Sequence, residues 1–157
     1  MFGKGWGLVS GSCRICTELL PSGRSSYCQD CKTSRTLYST TKSNLASGFN
    51  RTSAPPSLDI TADDFCLWRK NTEQVCHFCK ISQADIARVG MKSQVQNDVK
   101  NMGVDRLDSD RGYELSNIAP CCFVCNQVKG NRFTEDEMAL IAPGIAQVWA
   151  TRLAKAS

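Results

Sequence analysis

The stretch from Met102 to Arg132, MGVDRLDSDRGYELSNIAPCCFVCNQVKGNR, holds most of the residues able to do chemistry. Asp105 and Asn126 offer a carboxylate and an amide carbonyl, two hard oxygen ligands suited to Mg²⁺ or a similar divalent ion. Arg106 and Tyr113 lie between them in sequence, and Cys122 and Cys125 form a CxxC. To bring Asp105 and Asn126 together, MGVDRL must run as a short strand and SDRG as a turn. Gly112 is expected to supply the unrestricted φ of that turn. YELSNIAP reads as a second extended piece ending at Pro120, and Asn126 opens a short polar helix, NQVKGNR. A hairpin packed on that helix would let Asp105 and Asn126 face each other.

Eight of the ten cysteines fall into four CxxC pairs: Cys13/Cys16, Cys28/Cys31, Cys76/Cys79 and Cys122/Cys125. Tetrahedral zinc sites use this spacing, whereas disulfide scaffolds do not usually pair cysteines this way. The first two pairs predict a closed four-thiolate knuckle over 13–31. The loop inside it is too short for its own core, so the metal must hold it together. The last two pairs predict a second four-Cys zinc site that staples the hairpin and helix to the segment before them. Both sites are structural, with no open ligand position. Cys66 and Cys121 are left as buried thiols. His77, the sole histidine, sits between two ligands and reads as a filler on the rim.

At 157 residues the chain is one domain, or one with a small appendage. No apolar run approaches the roughly 18 residues of a membrane span. The first residues make a poor signal peptide, so a cytoplasmic location is expected. The net charge of +4 is uneven. Residues 1–59 carry seven Lys and Arg against three acids, and the remainder carries twelve of each. A basic first third is compatible with a polyanionic partner or with an ordinary solvated surface.

The Asp105-Arg106 pair, the Gly112-Tyr113 turn, the central Asn117, the run Cys122 to Asn126 and the basic Lys129 together resemble the ββα-metal, or HNH, nucleases. The resemblance is specific from Val75 onward. It implies a small α+β fold: a ββα-metal core, two structural four-Cys zinc sites, few strands and an irregular N-terminal part. It also implies metal-dependent hydrolysis of double-stranded DNA by a homodimer, with restriction-like or mobile-element roles. Asp105, Arg106, Tyr113, Asn117 and Asn126 would form the catalytic set, with Asp105 and Asn126 on the catalytic Mg²⁺ or similar ion. Arg106 stands where the family has its general-base histidine. Tyr113 is the replacement, and with an ordinary tyrosine pKa of about 10 it needs a nearby cation. Arg106 would either provide that cation or grip the scissile phosphate as a bidentate fork. Alternatively, Tyr113 is only a packing aromatic, and the site is an inactive one within a zinc-stabilised DNA-binding module. Asn117 is expected to tie the loop through backbone hydrogen bonds.

Two parts follow from this reading. Residues 1–59 hold the first zinc knuckle and a basic Ser/Thr-rich DNA-contact segment, with Lys32, Arg35, Lys42 and Arg51 as candidate contacts. Part of it is expected to be helical after Cys31, and Thr52 to Ser57 reads as a linker extended by Pro55-Pro56. Phe2 and Trp6 would cover a core edge or a partner subunit. Residues 60–157 hold the nuclease core, the second zinc site and a C-terminal helix. A helix over 60–74 is capped by Thr61 with Asp64 and buries Phe65, Leu67 and Trp68. One or two helical turns follow Ile81, and the polar run KSQVQNDVKN could lie along DNA. Lys129 and Arg132 are candidate phosphate contacts. Thr134 to Glu137 is a capping box, and the helix it starts turns Met138, Leu140 and Ile141 inward. Pro143 then breaks it or begins a second helix, with Ile145, Val148, Trp149 and Leu153 on one face.

Overall fold

A computed structural model describes residues 11–21, 25–46 and 56–156. Phe2, Trp6, Arg51 and most of the expected linker lie outside them. The element order is α1 (Gln29–Ala46), α2 (Ala62–Asn71), α3 (Gln83–Arg88), β1 (Gly103–Arg106), β2 (Ile118–Cys121), α4 (Phe123–Lys129) and α5 (Glu135–Lys155). This is the expected small α+β fold. No described helix is long and apolar enough to cross a membrane.

The two cysteine clusters share one plan. In each, the first CxxC closes a knuckle turn. Cys13 N–H donates to Glu18 O (2.8 Å) and Thr17 N–H to Cys13 O (3.0 Å). The second knuckle repeats this with Cys76 to Ile81 O (2.9 Å) and Lys80 to Cys76 O (3.0 Å). The residue after each second cysteine, Thr17 or Lys80, takes a left-handed φ near 60°. The second CxxC of each site lies at a helix start. Cys31 N–H points at Cys28 Sγ (3.5 Å) and Cys125 N–H at Cys122 Sγ (3.4 Å). Such first-turn N–H groups stabilise thiolates.

Both clusters serve as core. Around Cys76, Cys79, Cys122 and Cys125 pack Ile86, Met91, Met102, Met138 and Trp149. Around Cys13, Cys28 and Cys31 pack Leu20 and Cys66. A third cluster joins Ile60 and Phe65 to Val104 and Ile118 of the hairpin, with Leu37 and Tyr38 of α1 against it. Tyr38 also donates to Ile60 O (3.0 Å) and Arg35 pairs with Asp63 (3.0 Å). The position 59/60 therefore falls inside a shared apolar cluster. Cys66 and Cys121 are both buried, and burial pushes the Cys66 thiol up to about 11.

Several local expectations change. α1 is an 18-residue helix although rich in Ser and Thr. Its hydroxyls turn back on the preceding turn, as with Ser34 to Asp30 O (2.8 Å) and Thr40 to Thr36 O (3.0 Å), and so do not compete with the ladder. Thr61 caps α2 as expected, accepting from Asp64 N–H (3.1 Å), but Leu67 is exposed and Arg69 takes the buried place, donating to Met102 O (2.9 Å). Thr134 and Glu137 form a full capping box on α5. That helix is continuous through Pro143, which lies on its exposed face. Leu140 is 84% exposed and Val148 is exposed as well. Met138, Ala142 and Trp149 make the buried stripe.

Gly112 has no left-handed φ. It is needed for space: a Cβ there would stand 2.0 Å from Ser57 Oγ and 2.9 Å from Ser57 O. Gly112→Ala is expected to destabilise the protein by about 1–3 kcal/mol through overpacking, read as a lowered midpoint in denaturant unfolding.

Candidate active site

β1 and β2 pair antiparallel with Val104 opposite Pro120, Asp105 opposite Ala119 and Arg106 opposite Ile118. Pro120 is tolerated inside β2 because in a two-stranded sheet it lies on an edge. Its carbonyl accepts from His77 N–H (2.8 Å), which ties the second knuckle to the hairpin. Side chains alternate along β1. Val104 joins the apolar cluster with Phe65, and Asp105 turns to the other face, towards α4. Asn126 on α4 donates to Val104 O (3.2 Å), which fixes the helix against the strand.

Asp105, Arg106, Tyr113, Asn126 and Asn131 line one cavity of about 430 Å³, with Leu45 from the last turn of α1 and Pro56 as its outer wall. Asp105 is 7% exposed, and its Oδ2 has no hydrogen-bond partner. The Lys129 ammonium is 3.2 Å from that oxygen, an ion-pair distance. However, its hydrogen bonds go to Arg106 O (2.7 Å) and Ser109 Oγ (3.0 Å). Burial raises the Asp105 carboxyl above its ordinary value, and the Lys129 charge offsets this only in part. A carboxylate and a carboxamide lining the same open cavity are hard oxygen donors of the kind a divalent cation takes.

Asn117 is 1% exposed. Its amide nitrogen donates to Asp108 O (3.0 Å) and Gly112 O (2.9 Å), and its oxygen accepts from Asp108 N–H (3.0 Å). It holds the 107–117 loop as expected and has no exposed face for a substrate, so within the candidate catalytic set it is a positioning residue. Tyr113 is held on the hairpin by the 57–59 segment. Its N–H donates to Ser57 O (2.8 Å), and Asp59 N–H donates to Tyr113 O (3.1 Å). The Arg106 guanidinium lies over the Tyr113 ring, 5.4 Å from its centroid. It also donates to Ser109 O, Arg111 O (2.8 Å) and Asn131 Oδ1 (3.1 Å). The fork is already engaged by carbonyls.

Lys129 is a correction. It is fully buried, and its ammonium serves Asp105 and the hairpin carbonyl, so it does not stand on the surface to meet phosphate. Arg132 is exposed and donates to Gln127 O (3.1 Å). Lys32 and Lys42 are exposed along α1, while Arg35 is engaged by Asp63 and lies over the Tyr27 ring. His77 pairs with Glu135 of α5 (2.6 Å) and is not among the cavity residues. Ser109, and Asp59 with Ser57, were not singled out from sequence. Their roles are tertiary, and no local pattern marks them.

Each four-Cys group can hold a zinc ion. Its four Sγ atoms all lie within 4.8 Å of one another. Cys16 to Cys28 is 3.6 Å and Cys79 to Cys122 is 3.7 Å. Thiolates each about 2.3 Å from a tetrahedral zinc would be about 3.8 Å apart. All ten cysteines are free.

A two-stranded hairpin, a helix whose Asn126 bonds the first strand, and a four-Cys group behind them make an arrangement like that of the ββα-metal, or HNH, proteins. Over 90% of its length the chain is similar to a solved structure of the rare-cutting HNH restriction endonuclease PacI. The sequence identity is 27%, the TM-score is 0.62 and 97% of that chain is covered. No family model matches the chain, and no curated protein matches it. The resemblance read from the sequence therefore holds at the level of structure, and it supports a nuclease kind of function.

Proposed function

We propose that the chain is a metal-dependent endonuclease that hydrolyses phosphodiester bonds of double-stranded DNA at defined sites, acting in the cytoplasm as a homodimer. The observation that carries this reading is that Asp105 and Asn126 line one open cavity on the hairpin and helix. Asp105 and Asn126 would hold Mg²⁺ or a similar ion. Such an ion supplies Lewis-acid stabilisation of the phosphoryl oxygens and of the leaving 3′ oxygen. Tyr113 takes the proton of the attacking water at its phenolic oxygen, with the Arg106 guanidinium over its ring. Asn117 and Ser109 hold the loop that sets both groups. Lys32, Lys42 and Arg132, with Arg51, contact the phosphate backbone. The placement of Leu45 at the cavity wall supports an approach of DNA along α1, so that the part before residue 60 binds and the part after it cuts.

A second reading, a zinc-stabilised DNA-binding module with an inactive site, draws on one observation: the Lys129 ammonium already stands near Asp105 Oδ2. Cleavage of long mixed-sequence duplex DNA, with and without Mg²⁺, separates the two. Discrete fragments that require the ion support the nuclease, and binding without cutting under several metals supports the module. Tyr113→Phe is expected to lower the single-turnover cutting rate by about 10²–10⁴-fold, the usual weight of a general base. An unchanged rate would remove Tyr113 from the mechanism.

A further inference from the structure

Residues 91–99 form a tight hairpin that the candidate site does not use. Val99 N–H donates to Met91 O (3.0 Å), and Lys92 pairs with Asp98 across the stem. At the tip, Ser93 N–H donates to Asn97 O (2.9 Å) and Gln96 N–H to Ser93 O (3.0 Å), with Gln96 at a left-handed φ of 62°. Met91 is fully buried and Val99 packs on the same core, so the stem is rooted in the protein. The tip faces solvent: Gln94, Gln96 and Asn97 are exposed, and Val95 is 75% exposed.

Among the described residues, one side-chain bond links this hairpin to α4. Gln94 Nε2 donates to Gln127 Oε1 at 2.6 Å. Gln127 follows Asn126 on α4, and Asn131 lies just beyond the end of that helix at Gly130. Asn126 and Asn131 both line the cavity. The Gln–Gln bond uses one donor of one amide and one lone pair of the other, which leaves the pair with further donors and acceptors.

We propose that the 91–99 hairpin is the base-reading element of the nuclease. It sits in the major groove beside the phosphate at the cavity, with the Gln94 and Gln127 amides on an adenine edge and Val95 against a thymine methyl. The inference rests on the nuclease reading and adds to it the element and the residues that choose the site. A two-stranded ribbon fits the major groove, glutamine amides match adenine N6 and N7, and apolar side chains match the thymine methyl. The hairpin's one carboxylate, Asp98, is neutralised by Lys92 and so does not repel phosphates. Base-pair steps are about 3.4 Å, so an element held against α4, whose Asn126 lines the cavity, reads bases within a few steps of the cut.

The test is selection from a randomised duplex pool by wild type, Gln94→Ala and Val95→Asp. Bound duplexes are sequenced in Ca²⁺, and cut ends are sequenced in Mg²⁺. Wild type is expected to enrich adenine and thymine at adjacent positions near the cut. Gln94→Ala should lose about tenfold of the adenine preference. Val95→Asp should lose the thymine preference with an unchanged unfolding midpoint, which keeps the test decisive if Gln94→Ala loosens the hairpin. Identical preferences in all three proteins, or a wild-type bound pool without preference, would overturn the proposal. A bound pool with preference but no cut ends would sink the nuclease reading and leave the base-reading element standing.

Discussion

Asp105→Asn is expected to lower DNA cleavage by about 10³-fold or more. Lewis-acid stabilisation by a bound divalent ion is worth several kcal/mol, and each 1.36 kcal/mol is about tenfold in rate. The substitution keeps the shape of the side chain and removes the charge that would hold the ion. It also leaves the fully buried Lys129 ammonium without its counter-charge. Breaking a buried pair from one side costs about 3–5 kcal/mol. Loss of activity could then be mistaken for loss of fold. The double variant Asp105→Asn/Lys129→Met separates the two. It is expected to recover most of the stability in denaturant unfolding and none of the cleavage. Recovery of cutting would show that Asp105 acts only as the partner of Lys129.

Cys76→Ser, or stripping the metal with a strong chelator, is expected to unfold the hairpin and α4 outright. Structural zinc contributes about 10–16 kcal/mol in zinc-finger peptides, while a whole domain is stable by only about 5–15 kcal/mol. The second cluster also anchors the largest apolar group among the described residues, including Met102 next to β1 and Met138 of α5. Far-ultraviolet circular dichroism should show the loss, and added Zn²⁺ should reverse it in the chelated protein. A folded Cys76→Ser protein with native near-ultraviolet signals would mean that apolar packing alone holds the hairpin.

The features legible in the sequence are those fixed by short-range chemistry. The CxxC pairs need only a tight turn, the Thr134 capping box only four residues, and Asn117 only the loop it closes. The features that were misread depend on what lies across the fold. Lys129 looks like a surface cation within a polar run. It is buried because Asp105, Arg106 O and Ser109 converge on it from the hairpin. The need for Gly112 lies in the approach of Ser57, and no turn propensity reveals it. Leu140 fits an apolar stripe on α5, but the continuous helix through Pro143 turns a different face to the core. The carbonyl partners of Arg106 come from Ser109, Arg111 and Asn131, and no local pattern marks them.

The shared plan of the two cysteine clusters sets an order of assembly. In the first, Cys16 and Cys28 are 12 residues apart, and in the second, Cys79 and Cys122 are 43 apart. Closing the longer loop costs only about 1 kcal/mol more in chain entropy. However, that loop contains α3, the 91–99 hairpin and β1, which must be laid out before the four thiolates can meet. The first cluster can capture metal as soon as its short loop emerges. During synthesis, metal uptake would therefore proceed from the N-terminal site to the C-terminal one. The candidate cutting site, which sits on the second cluster, would mature last, after α1 is already in place to receive it.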